Sequence, residues 1–111
     1  MKAYTDLNQS KKLAKILPME SADMCWRQIY DENHMMSDYR VELIPYRLYS
    51  GIGVPCWGLS ALLDTLPSST LDSSNDHYYR LHCMERFTEW YDNAVDACYE
   101  MVLKLHEQKL L

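Results

Sequence analysis

Glycine is scarce in this sequence: Gly51, Gly53 and Gly58 are the three it contains. They are too few and too scattered for a phosphate-binding loop, whose backbone amides need closely spaced glycines. No uninterrupted apolar run approaches the roughly 18–20 residues that cross a bilayer as a helix, and residues 1–12 are polar where a secretory leader is apolar. Neither a membrane span nor a leader is expected, and the expected location is cytoplasmic. The four cysteines, Cys25, Cys56, Cys83 and Cys98, include no close pair. That pattern fits reduced, buried thiols better than a secreted disulfide framework or a zinc knuckle. Basic residues run short in the second half. Residues 1–56 hold seven Lys and Arg against seven Asp and Glu, whereas residues 57–111 hold four against nine. The whole formal charge of −5 therefore falls in the second half, the wrong sign for tracking a phosphate backbone. No nucleic acid and no cofactor is expected as a ligand. The one basic cluster, Lys11, Lys12 and Lys15, reads as the solvated face of a short helix.

What is present is enough for one globular domain over residues 1–111: hydrophobic residues make up 48% and charged residues 24%, near globular averages. The clearest element is the closing segment, residues 92–111. Asn93 is an N-cap residue, and Asp96 three positions on can complete a shortened capping box at the positive end of the helix dipole. Ala94, Ala97, Cys98, Met101, Val102 and Leu105 follow at helical spacing, and Val95, Tyr99, Leu103, His106 and Leu110 widen the face. Only Asp96, Glu100, Lys104 and Glu107 form a polar strip, with Glu100 and Lys104 spaced to pair. So wide an apolar arc needs a large covering surface, either a sheet flanked by another helix or a partner chain.

Earlier in the chain, Asp6 with Gln9 is a capping pair, and Leu7, Leu13, Ala14, Ile16 and Leu17 form a stripe that stops at Pro18, predicting a first helix. Residues 24–30 and 39–46 read as two strands of a hairpin, joined through residues 31–38, with Pro45 at a strand end or an edge. Residues 50–55 are punctuated by Gly and Pro and read as a turn. Leu59, Leu62, Leu63 and Leu66, closed by Pro67, predict a second helix over residues 57–66. Residues 68–77, rich in serine with Leu71 as the apolar anchor, read as a mobile loop. Residues 78–84 and 87–91 complete the set as two more strands, although their tight turn lacks the Gly or Asn that primed turns favour. The expected architecture is α+β, two-layer, with an antiparallel sheet of about four strands covered by helices in the order α-β-β-α-β-β-α. The endings of the two early helices echo each other, which either marks a faint duplication or reflects proline acting as a helix stop in both.

The strings Leu17-Pro18 with Glu20-Ser21-Ala22-Asp23-Met24, Pro55-Cys56-Trp57, Tyr91-Asp92-Asn93-Ala94-Val95-Asp96-Ala97-Cys98 and Lys104-Leu105-His106-Glu107 resemble a family of short, uncharacterised bacterial proteins borne on mobile elements of gut anaerobes. The resemblance runs over most of the chain. It implies a bacterial cytoplasmic protein, and it transfers no functional residue.

Aromatic choice is the remaining signal, with nine Tyr and three Trp against a single Phe. Tyr and Trp pair apolar area with a polar tip and are enriched at interfaces, although half-exposed strand faces favour Tyr as well. The expectation is a small protein–protein interaction module, a homodimer being one form of it. It would present an acidic, Tyr- and Trp-bearing surface, including Trp57, Trp90 and Tyr91, to a basic protein partner. The contrasting reading is a small-molecule site or thiol enzyme built on Cys56, whose sulfur would need to face a helix N-terminus to ionise readily. Residues 58–61 read Gly-Leu-Ser-Ala but follow no strand that runs directly into Ser60, as a nucleophile elbow requires. His82 and Cys83, being adjacent, fall on opposite faces of a strand, and no metal site is expected.

Overall fold

Asn93 opens the closing helix as its chemistry dictates: its side-chain oxygen accepts from the Asp96 N–H at 2.8 Å. In the computed structural model, which describes residues 2–30, 32–33, 35–42 and 53–111, this helix is α3 (Ala94–Glu107). It follows α1 (Leu7–Leu13), a 3-10 turn (Met19–Ser21), β1 (Met24–Tyr30), β2 (Met36–Glu42), β3 (Gly53–Cys56), α2 (Leu59–Thr65), β4 (Ser69–Ser73), β5 (Tyr79–Cys83) and β6 (Arg86–Phe87). The class is α+β, and the layout differs from the expected four-stranded sheet. The strands form two antiparallel three-stranded sheets, ordered β2-β1-β3 and β4-β5-β6.

Both additional strands come from segments that read as loops. Residues 69–73 pair in full register with β5, from Ser69 opposite Cys83 to Ser73 opposite Tyr79. Hydrogen bonding to a neighbour makes them a strand, and an edge position tolerates the serines. Gly53–Cys56 likewise pairs with β1, Pro55 lying opposite Cys25, and Pro55 is accommodated because β3 is an edge of its sheet. The expected features at Pro45 and at residues 43–46 and 50–52 lie outside the described residues. The echo between the two helix ends is not a structural duplication, since the first strand is central in one sheet and the second strand in the other.

The core sits where α3 meets α2, β5 and the end of α1. Val95, Ala97, Cys98, Met101, Val102 and Leu105 are all buried there, with Leu62 of α2, Leu81 of β5 and Leu13 of α1. The expected arc is therefore the covered one, although its fringe differs, since His106 and Leu110 are exposed. Lys104 differs as well: its ammonium donates to the Phe87 carbonyl at 3.1 Å rather than to Glu100, which ties the last turns of α3 to β6.

Asp96 joins the two ends of the chain. Besides receiving the Asn93 side-chain amide at 2.8 Å, its carboxylate accepts from Lys2 Nζ and Gln9 Nε2, each at 2.8 Å. Gln9 in turn completes the capping box of α1 with Asp6. Burial pushes the Asp96 carboxyl up, yet the hydrogen bonds from Lys2, Gln9 and Asn93 outweigh it and hold the group below its ordinary 3.8. For Lys2, burial acts downward and is outweighed by Asp96 and Asp6, leaving the ammonium above 10.5.

The turn between β5 and β6 is a two-residue loop, Met84 and Glu85, with Cys83 opposite Arg86. Both loop residues have positive φ, 51° and 65°, which costs a residue with a Cβ about 1–2 kcal/mol. Arg86 holds the loop in place by donating to the Met84 carbonyl at 2.7 Å and to Gln108.

Two outcomes follow for stability. Replacing Met84→Asn together with Glu85→Gly should raise the denaturation midpoint by about 4 °C or more, corresponding to relief of about 1 kcal/mol; an unchanged or lower midpoint in calorimetry contradicts the strain assignment. Asp96→Ala should cost about 1–3 kcal/mol. The wild-type advantage over that variant, followed by denaturant unfolding across pH, should be complete above the unfolded carboxyl value. It should fade as pH falls through the depressed folded value. The Lys2 contribution has the opposite sense, being present below 10.5 and lost as pH rises through the elevated folded value. Equal advantage at pH 2 and pH 7 would remove Asp96 from this role.

Candidate functional site

β5 alternates strictly. Leu81 and Cys83 turn inward to the core and are 0% and 1% exposed, whereas Arg80 and His82 lie on the other side of the strand, half-buried. Cross-strand pairing sets Asp72 beside Arg80, Thr70 beside His82, and Phe87 on the far side of His82. The His82 and Phe87 rings stack with centroids 4.2 Å apart and planes 6° from parallel. The Arg80 guanidinium lies 4.5 Å from the Phe87 centroid and 4.6 Å from that of Trp90, and donates to Asp72 Oδ2 at 3.3 Å. His82, Phe87, Arg80 and Trp90 thus form one continuous stack across the outer face.

Trp90 reaches that stack through a bulge. Thr88 N–H donates to the Leu81 carbonyl at 3.0 Å, and Tyr91 exchanges both backbone hydrogen bonds with Tyr79 at 2.7 and 2.8 Å. Three steps on one strand therefore match two on the other, leaving one residue extra. Uninterrupted alternation would have put Trp90 on the face opposite Phe87. The extra residue brings it back over Arg80, and it turns Tyr91 instead toward the groove of about 490 Å³ that Tyr91 lines with Tyr99, Lys12 and Lys104. Burial, then the charges of Glu100, Glu89 and Asp96, raise the Tyr91 hydroxyl above its ordinary value.

The outer face is rich in exposed apolar area: Tyr78 is 47% exposed, Phe87 47%, Trp90 45% and Met84 42%. Its fixed charges are mostly acidic, with Asp76, Glu85 and Glu89 exposed around it. Beside Trp90 the turn between β4 and β5 borders a shallow, open pocket of about 340 Å³ lined by Ser74, Asp76, Tyr78 and Trp90. Rings held by stacking have already lost most of their rotamer freedom, so a partner that packs on them incurs little further ordering cost.

The residues picked out in the sequence separate accordingly. Trp90 belongs to the stack and Tyr91 to the neighbouring groove. Trp57 is a correction: it is fully buried, with its indole N–H donating to Ser21 Oγ at 2.9 Å, and it offers no surface. Its enclosure follows from the chain start, where Thr5 N–H donates to the Trp57 carbonyl at 2.9 Å and Tyr4 bridges to Gly58. Cys56 lies in the same enclosure, within 3.7 Å of Thr5 Oγ1. Burial pushes its thiol up to about 11, the opposite of what a nucleophile needs. Cys98, on the buried face of α3, is pushed up to about 12 by burial. Ser60 is exposed on α2 beside Asp64 and Glu20, with no imidazole lining that groove. Among the described residues no three His, Cys, Asp or Glu side chains converge as metal ligands.

Arg80, Phe87, Tyr78 and Asp76 were not singled out from sequence, and His82 was weighed there only as a metal ligand. The alternation of Tyr78, Arg80 and His82 against Tyr79, Leu81 and Cys83 was a usable signal for Arg80, His82 and Tyr78. Nothing in the sequence marks the bulge.

Compared with known proteins, the chain matches no family model, no curated protein and no solved structure.

A thiol raised from 9.0 to about 11 is roughly 100-fold less ionised at neutral pH. Iodoacetamide at pH 7.5 should therefore label Cys56 in the native chain at least about 100-fold more slowly than in the urea-unfolded chain. Native labelling of Cys56 faster than an unfolded thiol would reinstate a reactive cysteine.

Proposed function

We propose that this chain is a small protein–protein interaction module whose contact surface is the outer face of the β4-β5-β6 sheet. The observation that carries the reading is the four-membered stack of His82, Phe87, Arg80 and Trp90, whose two outer rings, Phe87 and Trp90, are exposed along with Tyr78 and Met84. Aromatic and arginine side chains are the residue types that dominate binding energy at interfaces. The partner in this reading is a basic protein. The stack's own cation is neutralised by Asp72, the excess acidic charge of the chain falls in residues 57–111, and like-charge juxtaposition disfavours acidic partners. The resemblance to short bacterial proteins supports a bacterial cytoplasmic setting and a mobile-element origin as part of the same proposal.

The test uses immobilised peptide panels of matched length, either rich in Lys and Arg or rich in Asp and Glu. Basic panels should bind, with affinity falling as salt rises, and Trp90→Ala or Phe87→Ala should each weaken binding by about tenfold or more, a hot-spot cost of about 1.4 kcal/mol or above. Equal binding of acidic panels, or full retention by both variants, rejects the proposal. Light scattering in parallel should give a monomer mass; a dimer disrupted by Trp90→Ala would assign the face to a second copy instead.

A further inference from the structure

We propose that the pocket lined by Ser74, Asp76, Tyr78 and Trp90 is a site for an alkylammonium group, supplied by a lysine side chain of the partner. Two aromatic rings and one carboxylate border a volume of about 340 Å³, ample for a lysine head or its methylated forms. Aromatic faces attract cations through the ring quadrupole, and a carboxylate adds the opposite charge. No lysine or arginine is among the lining residues, so nothing in the pocket competes for the carboxylate. Trp90 already holds one cation in this way, the Arg80 guanidinium at 4.6 Å. That contact fixes the indole at the pocket's border.

The opposite wall is equally fixed. Ser74 N–H donates to the Tyr78 carbonyl at 2.9 Å, Tyr78 N–H donates to Ser74 Oγ at 3.1 Å, and His77 N–H donates to the Ser74 carbonyl at 3.2 Å. His77 takes the left-handed conformation, φ 64°, that closes this turn. The backbone of this turn is therefore set before any ligand arrives, which lowers the ordering cost of binding. The pocket's chemistry disfavours an anion, which a carboxylate and two π faces repel. Assignment of the ammonium to a protein side chain rests on the interaction-module reading, whereas the preference of the pocket for an ammonium does not.

The experiment is a ligand-observed NMR titration of the full chain at constant ionic strength with two matched pairs. Choline is compared with 3,3-dimethylbutan-1-ol, its neutral isostere, and the peptide Ala-Lys-Ala, blocked at both ends, with its norleucine counterpart. Both cations should bind with dissociation constants on the order of millimolar and the neutral partners about fivefold or more weaker. Asp76→Asn and Tyr78→Ala, both exposed positions whose variants should retain the wild-type circular dichroism, should each weaken the cations by about threefold or more. Neutral partners that bind as well as the cations overturn the proposal, as do both variants binding like wild type. Choline binding without the lysyl peptide overturns the lysine assignment alone. Failure of the basic peptide panel with both cations still discriminated rejects the module reading and leaves the ammonium site supported.

Discussion

Burial of one face of α3 against β5 and α2 is the contact on which the remaining structure depends. Val95, Met101, Val102 and Leu105 are at most 1% exposed, and full burial of such a side chain is worth about 1.5–3 kcal/mol. Four of them are commensurate with the whole net stability of a domain this size, about 5–15 kcal/mol. Because β5 gives its Leu81 and Cys83 side to that seam, alternation forces Arg80 and His82 to the other side. The outward placement of Arg80 and His82, on which Phe87 and Trp90 stack, is thus a geometric consequence of the core.

The chain start is secured by polar chemistry instead. Thr5 and Ser10 are both fully buried, 2.7 Å apart through their hydroxyls, and Trp26 Nε1 donates to Ser10 Oγ at 3.1 Å. Trp57 N–H donates to Thr5 Oγ1 at 3.2 Å. Buried hydroxyls with partners cost little, while a single removal would orphan several groups. This network holds α1 against β1 and β3, as Lys2 and Gln9 hold it to Asp96. Cys56 lies in the same enclosure, where burial raises its thiol against the hydroxyls of Thr5 and Ser10, which act to lower it. Gly58 fits the same junction: its N–H donates to Asp23 Oδ1 at 2.8 Å, and a Cβ there would come within 2.7 Å of the Met24 methyl.

Backbone strain and the aromatic stack lie close together in the second sheet. The Met84 and Glu85 turn and the bulge before Tyr91 both depart from regular geometry, and they bracket Phe87 and Trp90 from either side. The turn sends β6 back beside β5 so that Phe87 meets His82. The bulge shifts the phase of the following residues so that Trp90 meets Arg80. Regular geometry at the bulge would leave Arg80 covered by one ring instead of two.

Local chemistry was readable without coordinates. Asp6 and Asn93 specified their helix starts because a capping side chain acts within three residues, the stripe from Ala94 to Leu105 specified its buried face by period alone, and Met24–Tyr30 announced a strand by composition. Two edge strands escaped because Ser69–Ser73 and Gly53–Cys56 owe their conformation to hydrogen bonds with β5 and β1, partners that a local pattern cannot name. Trp57 was misplaced for the same reason, since its cover comes from Thr5 and Ser21, distant in sequence. The sequence by itself determined the α+β class, the helix caps and the inward side of α3, all of which arise from interactions within a few residues. Only the tertiary structure decided the division into two sheets and the stacking of Trp90 on Arg80, because strand partnership and a one-residue bulge are set by pairing energies between distant segments.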